Sequence, residues 1–355
     1  MMGREHIGRA AGFNPPNRFE EIKVELPPAD IAQYFDIPAP EARIATKFYL
    51  DNTKSILAKN DSPDVGFTYS LNPYRGCEHG CIYCYARPSH EYLGFSSGLD
   101  FETKILVKRN AAELLRTALL EKSWIAQTVH LSGDTDCYQP VERALHLTRD
   151  CLRVFLELSH PVSIITKNAL IQRDLDILEE LASLNLVHVI ISVTTLDQDL
   201  ARTMEPRTSP PQKRLETVET LASRGIPVSV NVAPVIPGLN DVEIPSILKA
   251  ASDRGAHGAG YLIVRLPFAV KDLFVDWLER ELPEKSLKIQ SRIRSVRGGK
   301  LTESEFGIRM SGTGKIAETI QQLFSSSCDR YGLNKQRVEL RKDLFVRNRD
   351  QLRLF

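Results

Sequence analysis

From Gly66 onward the chain alternates between two hydrophobic rhythms: short runs dense in Val and Ile, then longer runs with apolar positions every three or four residues. The short runs read as strands: FTYSLNP (67–73), TVHLSG (128–133), PVSIITK (161–167), LVHVIISVT (186–194), IPVSVNVAPV (226–235) and GAGYLIVRL (258–266). Helical patterns fall between them, near 110–121, 141–158, 171–184, 210–224, 242–254 and 268–282. Strands covered on both faces read as near-continuous apolar runs, and strict strand–helix alternation builds a parallel sheet with right-handed crossovers. Six units fit the span better than eight. The expected fold class is therefore α/β, an incomplete (β/α)6 TIM-like barrel over residues 61–284, with ligands at the carboxyl ends of the strands.

The flanks lack this rhythm. In residues 1–60 the segments NPPN, LPPAD and IPAPE break any helix, so an N-terminal arm lying across a larger body is expected. Residues 285–355 form a basic C-terminal extension with 16 Lys/Arg against 7 Asp/Glu, although the whole chain carries only +1. Such asymmetry suits a face that meets a polyanion, or a solvated helical surface. A composition of 42% hydrophobic and 26% charged residues is that of a globular protein. No run of about 18 apolar residues suggests a membrane span, and the polar start lacks the apolar core of a signal peptide, so a cytoplasmic location is expected.

Six cysteines are too sparse for a disulfide scaffold in 355 residues, yet three of them crowd into positions 77 to 84. Cys151, inside the helical run CLRVFLEL, reads as a small core residue. The crowded stretch is LNPYRGCEHGCIYCYARPSH (71–90), a C-x3-C-x2-C motif directly after the first strand. Thiolates are soft donors suited to iron–sulfur clusters, which four cysteines usually hold. A cubane held by Cys77, Cys81 and Cys84 alone leaves one iron open to another ligand. Gly76 and Gly80 would let the backbone wrap around such a cluster. The competing reading is a structural zinc site completed by His79 or His90, although zinc sites more often pair C-x2-C with a distant second pair.

With Tyr83 as the aromatic before the third cysteine, the motif resembles that of the radical S-adenosylmethionine (SAM) superfamily. SGDTDCYQP (132–140) and EPRTSPPQKRLE (205–216) resemble the branch that includes spore photoproduct lyase. The resemblance implies a [4Fe–4S] cluster on the three cysteines and SAM chelated at the open iron through its amino and carboxylate groups. Reductive cleavage then gives a 5′-deoxyadenosyl radical that abstracts hydrogen from substrate. It further implies an electron donor such as flavodoxin or ferredoxin. Carried over residue by residue, Ser132, Asp134 and Asp136 fall near the methionine amino group, Lys167 near its carboxylate and Ser192 near the ribose. Asn231, Ala233 and Val235 fall near the adenine.

One departure stands out. Spore photoproduct lyase carries a hydrogen-donating cysteine near the end of its second strand, where this chain has Gly133. Cys137 is the nearest candidate for that catalytic role. At the other end, Gln351, Leu352, Leu354 and Phe355 in DQLRLF resemble the Q-L-x-L-F peptide by which bacterial repair proteins dock on the sliding clamp, unless the tail packs back on the barrel. Three functions remain open: radical chemistry on a nucleic-acid base, in DNA repair or modification; the same chemistry on a small molecule or protein; or a non-catalytic metal-dependent nucleic-acid module.

Overall fold

The computed structural model describes residues 8–19 and 44–347, so the tail peptide containing Gln351, Leu352, Leu354 and Phe355 lies outside the described residues. Ten strands occur in this region: β1 (Lys47–Leu50), β2 (Leu57–Lys59), β3 (Tyr69–Leu71), β4 (Tyr74–Arg75), β5 (Lys104–Val107), β6 (Val129–Leu131), β7 (Val162–Thr166), β8 (Val187–Ser192), β9 (Val228–Val235) and β10 (Gly258–Ile263). The main sheet has seven strands in the order β10-β9-β8-β7-β6-β3-β2. Its β3 and β6–β10 run parallel, and β2 closes the edge antiparallel to β3. Helices including Ala111–Leu120, Leu147–Glu157, Leu175–Ser183, Pro211–Ser223 and Ile244–Ser252 connect successive parallel strands. This is a mixed α/β fold around a central parallel sheet, and all six expected strands and their helices are present.

Side-chain alternation along each strand separates two faces. Val129, Leu131, Val162, Ile164, Val187, Val189, Val228 and Val230 join the helices' buried residues in one large core. Between them, Ser70, His130, Ser163 and His188 stand opposite one another in register on the other face. His130 Nδ1 lies 2.6 Å from Ser163 Oγ, and Ser229 Oγ bridges His188 Nε2 (2.9 Å) and His257 Nε2 (3.3 Å). The strands are therefore not apolar on both faces, as their Val/Ile density suggested. The second face carries a hydrogen-bonded His/Ser row, of which Ser70 and His130 line a cavity.

The arm is more regular than its prolines implied. β1 pairs parallel to β5, β4 pairs antiparallel to β5, and β2 extends the main sheet. All four β1 residues are exposed, so no buried alternation betrays the strand in sequence. Further upstream, Ala10 and Ala11 are buried, and Arg280 Nη2 donates to Ala10 O at 2.9 Å. Helix Pro283–Ser295 crosses the expected boundary at residue 284, and helix Gly314–Tyr331, containing the KIAETIQQLF run, follows it. After them Asn334 satisfies the free edge of β10, accepting from Ala259 N (2.8 Å) and donating to Ala259 O (2.9 Å). Among the described residues no helix is long and apolar enough to cross a membrane.

Candidate active site

The cysteine loop is held from behind by one ion pair. Arg87 is wholly buried and donates to Gly80 O (2.9 Å), Cys81 O (3.0 Å), Gly98 O (2.9 Å) and Glu102 Oε1 (2.6 Å). Five fixed donors in a planar fork let one guanidinium tie carbonyls that no backbone ladder satisfies. Cys77 N donates to Phe101 O (2.9 Å), closing the loop's other end. Gly76 and Gly80 adopt φ of +75° and +64°. A Cβ at Gly80 would lie 2.6 Å from Glu102 Oε2, and one at Gly76 would lie 3.0 Å from Phe101 O. Both glycines thus make room for the protein behind the loop, a different reason from the close wrapping around a cluster expected from sequence.

A cavity of about 940 Å³ opens at the carboxyl ends of the strands. It is lined by Cys77, Cys81 and Cys84 together with Tyr83, Ser132, Asp134, Asp136, Lys167, Ser192, Asn231 and Ala233. The structure thus brings together residues separated by up to 156 positions of sequence. Two candidates are not brought there. Val235 is wholly buried in the main core, and so is Cys137. Cys137 is fixed by its backbone, its N–H donating to Ser132 Oγ (2.7 Å) and its carbonyl accepting from Thr148 Oγ1 (2.6 Å). Burial pushes its thiol well up, Asp136 adding to the effect. The expectation of a catalytic Cys137 is corrected accordingly. Gly133 does line the cavity, but a Cβ there would come 2.8 Å from Ser70 Cβ, so a cysteine fits at that place only if β3 yields.

Asp136 is the hub of the polar wall. Its carboxylate accepts from Tyr138 N (2.9 Å), Thr166 Oγ1 (2.8 Å) and Lys167 N (2.8 Å), with His79 Nδ1 at 3.3 Å. Burial opposes its ionisation, but His79 and the Lys167 and Tyr138 amides outweigh that and bring its pKa down to about 2. Asp134 goes the other way: burial lifts it to about 6 against a hydrogen bond from Ser89 Oγ. Ser132 sits in the left-handed region at φ +74°, an uncommon position for a residue with a side chain. Burial lowers the Lys167 ammonium, and among the described residues no carboxylate pairs with it; Tyr83 offers its ring face at 5.9 Å.

Sequence reasoning missed the groups behind this wall. Glu205, at the end of helix Gln198–Met204, accepts from Tyr83 OH and Thr194 Oγ1 and forms a fully buried pair with Arg214. Arg214 Nη1 in turn donates to Ser192 O (3.1 Å). The signal was present in EPRTSPPQKRLE, whose first acid, Glu205, and last arginine, Arg214, prove to be partners. Reading it needed the fold.

Burial raises all three cysteine thiols; Asp136 adds to the effect at Cys77 and Glu205 at Cys81, while Arg87 opposes it at Cys84. Such thiols ionise only beside a compensating cation, which metal coordination supplies. A single zinc ion needs its ligands about 2.3 Å from one point. Among the described residues no three or more His, Cys, Asp or Glu side chains are grouped to hold one ion. His79 is engaged by Asp136 and Asn168, and His90 is buried beside Phe95 and Phe101.

A parallel α/β sheet with three thiols at its carboxyl edge defines a class of metal-dependent enzyme folds. Residues 71–251 match the radical SAM superfamily model, and the chain belongs to that superfamily. An uncharacterised protein of Mycobacterium tuberculosis is 38% identical over 220 residues, 61% of this chain and 65% of the relative, so less than two thirds of that protein is spanned. A radical SAM Nα-GlyT isomerase of Pseudomonas phage M6 is 27% identical over 62% of this chain and 44% of the relative. Among solved structures, spore photoproduct lyase complexed with a dinucleoside spore photoproduct superposes with a TM-score of 0.58 at 14% identity, covering 82% of this chain and 81% of that one. At that identity the likeness is one of fold.

Proposed function

We propose that the chain is a radical SAM enzyme whose Cys77, Cys81 and Cys84 hold a [4Fe–4S] cluster and whose cavity receives SAM and substrate together. The observation that carries this reading is that three thiols and the SAM-contact candidates line one cavity. When bound, cluster and SAM supply a carbon-centred radical able to abstract hydrogen, with an electron donor such as flavodoxin or ferredoxin feeding the cluster. The protein's own residues bind, orient and shield. Lys167 offers an unpaired ammonium to the methionine carboxylate. Asp136, ionised and fixed by two backbone amides, fits the methionine amino group, with Ser132 and Asp134 beside it. Ser192 and Asn231, one strand apart in register, serve the nucleoside half, with Ala233 beneath the adenine. Tyr83, locked by Glu205, sets the wall between cysteines and SAM.

In this reading the six parallel strands form an incomplete (β/α)6 barrel spanning 61–284, flanked by the arm (1–60) and the basic extension (285–355). The substrate is a nucleic-acid base, in repair or modification. The dinucleoside complex of the structural neighbour supports this choice, and a base must leave its stack to reach such a cavity. Because Gly133 carries no thiol and Cys137 is in the core, reversal of a photoproduct through a cysteine donor is not the proposed reaction. Anaerobic reconstitution followed by dithionite and SAM tests the reading. 5′-Deoxyadenosine should form with wild type and vanish with Cys81→Ala; equal formation by both would refute the site.

A further inference from the structure

Six cationic side chains line the cavity. Arg75 is paired with Asp51 at 2.7 Å and Arg309 with Asp64, Lys59 is solvated, and Lys167 faces the SAM site. Lys108 and Arg265 remain. Lys108 is only 8% exposed, and among the described residues its ammonium has neither a hydrogen bond nor an ion pair. Arg265, just past β10, has no carboxylate partner among those residues; its Nε is buried without an acceptor and its Nη1 reaches only Met310 Sδ at 3.6 Å. Unpaired cations withdrawn from water are costly, and proteins retain them where an anion arrives.

Both line the cavity, and a series of contacts links them. Arg265 sits 5.7 Å above the Tyr85 ring, and Tyr85 OH donates to Gly133 O at 2.6 Å, next to Asp134. Asp134 in turn lies in the field of Lys108. Burial and Arg75 hold the Lys108 ammonium down to about 8, as expected of a cation awaiting a counter-charge.

We propose that Lys108 and Arg265 are a phosphate-binding rim, each taking one phosphate of a nucleic-acid strand whose base enters the cavity between them. The assignment rests on the nucleic-acid reading above. The chemistry recognised is the phosphate ester, which a small phosphorylated metabolite also carries. Lys acts as a point charge and Arg as a bidentate fork.

The test is fluorescence anisotropy of a labelled single strand of about 12 nucleotides, a length of the order one single-strand site covers, on the reconstituted protein with SAM and no reductant. Lys108→Met and Arg265→Met should each weaken binding about tenfold. Each should also lower the slope of log affinity against log salt by about 0.7 to 1. Arg265→Lys should recover most of the affinity, and Lys213→Met, removing an exposed lysine paired with Glu216, should change it less than twofold. Iron content equal to wild type in every variant excludes misfolding. Unchanged affinity and slope in both Met variants would overturn the proposal. Wild-type binding of inorganic pyrophosphate but of no oligonucleotide would overturn the strand in favour of a small phosphate ester. No reductant is present, so failure of SAM cleavage leaves this result untouched, and the reverse holds.

Discussion

Arg87 and Glu102 meet at 2.6 Å with both side chains wholly buried, directly behind the loop that carries Cys77, Cys81 and Cys84. Glu102 is also reached by the arm, its Oε1 accepting from Ala11 N at 3.0 Å. The shape of the thiol trio therefore depends on a charge pair and on a segment upstream of the main sheet.

Removing one partner leaves the other charge buried alone. Arg87→Met should cost about 3–5 kcal/mol of stability, read from urea unfolding of the apo chain. Glu102→Gln, which keeps volume and one acceptor, should cost less and still lower the iron retained after gel filtration. A loss within 1 kcal/mol for Arg87→Met would show that the pair does not hold the loop.

Gly80→Ala tests the same region through the backbone. A Cβ at φ +64° is disfavoured by about 1–2 kcal/mol before the 2.6 Å approach to Glu102 is counted. Reduced iron incorporation with intact helical circular dichroism is expected; full incorporation would contradict this reading.

The site was partly legible in sequence. The spacing of Cys77, Cys81 and Cys84, the residues at strand ends, Ser132, Lys167 and Ser192, and Asn231 within β9 are local signals, and the cavity unites them. Glu205 with Arg214 and Arg87 with Glu102 were not legible, because a buried pair is a tertiary fact carried by two unremarkable charges. Cys137 misled because proximity in sequence to Gly133 says nothing of which way a thiol points. The His/Ser row was visible in principle: V-H-L, V-S-I, V-H-V and V-S-V each place one polar residue at the same strand position.

That row makes a pH prediction. Burial lowers His130 and His188 to about 4, each also feeling a neighbouring imidazole, and burial brings His160 to about 4. Between pH 6.5 and 4 the unfolded chain binds protons that the native one excludes. Stability is therefore complete above about 6.5 and falls as pH drops, by about 1.4 kcal/mol per unit for each histidine. Urea midpoints at pH 7, 6 and 5 should show this, with a shallower slope in His188→Gln. An unchanged slope in that variant would sink the assignment.

Glu205 offers a graded test of the Tyr83 wall. Tyr83→Phe removes one hydrogen bond to a buried carboxylate, about 1.5–3 kcal/mol, whereas Glu205→Ala strands Arg214 and should cost more. Thermal melts of the apo proteins rank the two; the reverse order would show that Tyr83 anchors Glu205 by something other than its hydroxyl.

The central claim is that three thiolates leave one metal centre open for SAM. Mössbauer spectroscopy of the 57Fe-reconstituted chain, recorded with and without SAM, addresses it most directly. The account predicts one iron environment that shifts on SAM addition while three stay fixed, and no cluster in Cys77→Ala. Four equivalent irons indifferent to SAM, or a cluster that survives loss of Cys77, would contradict it.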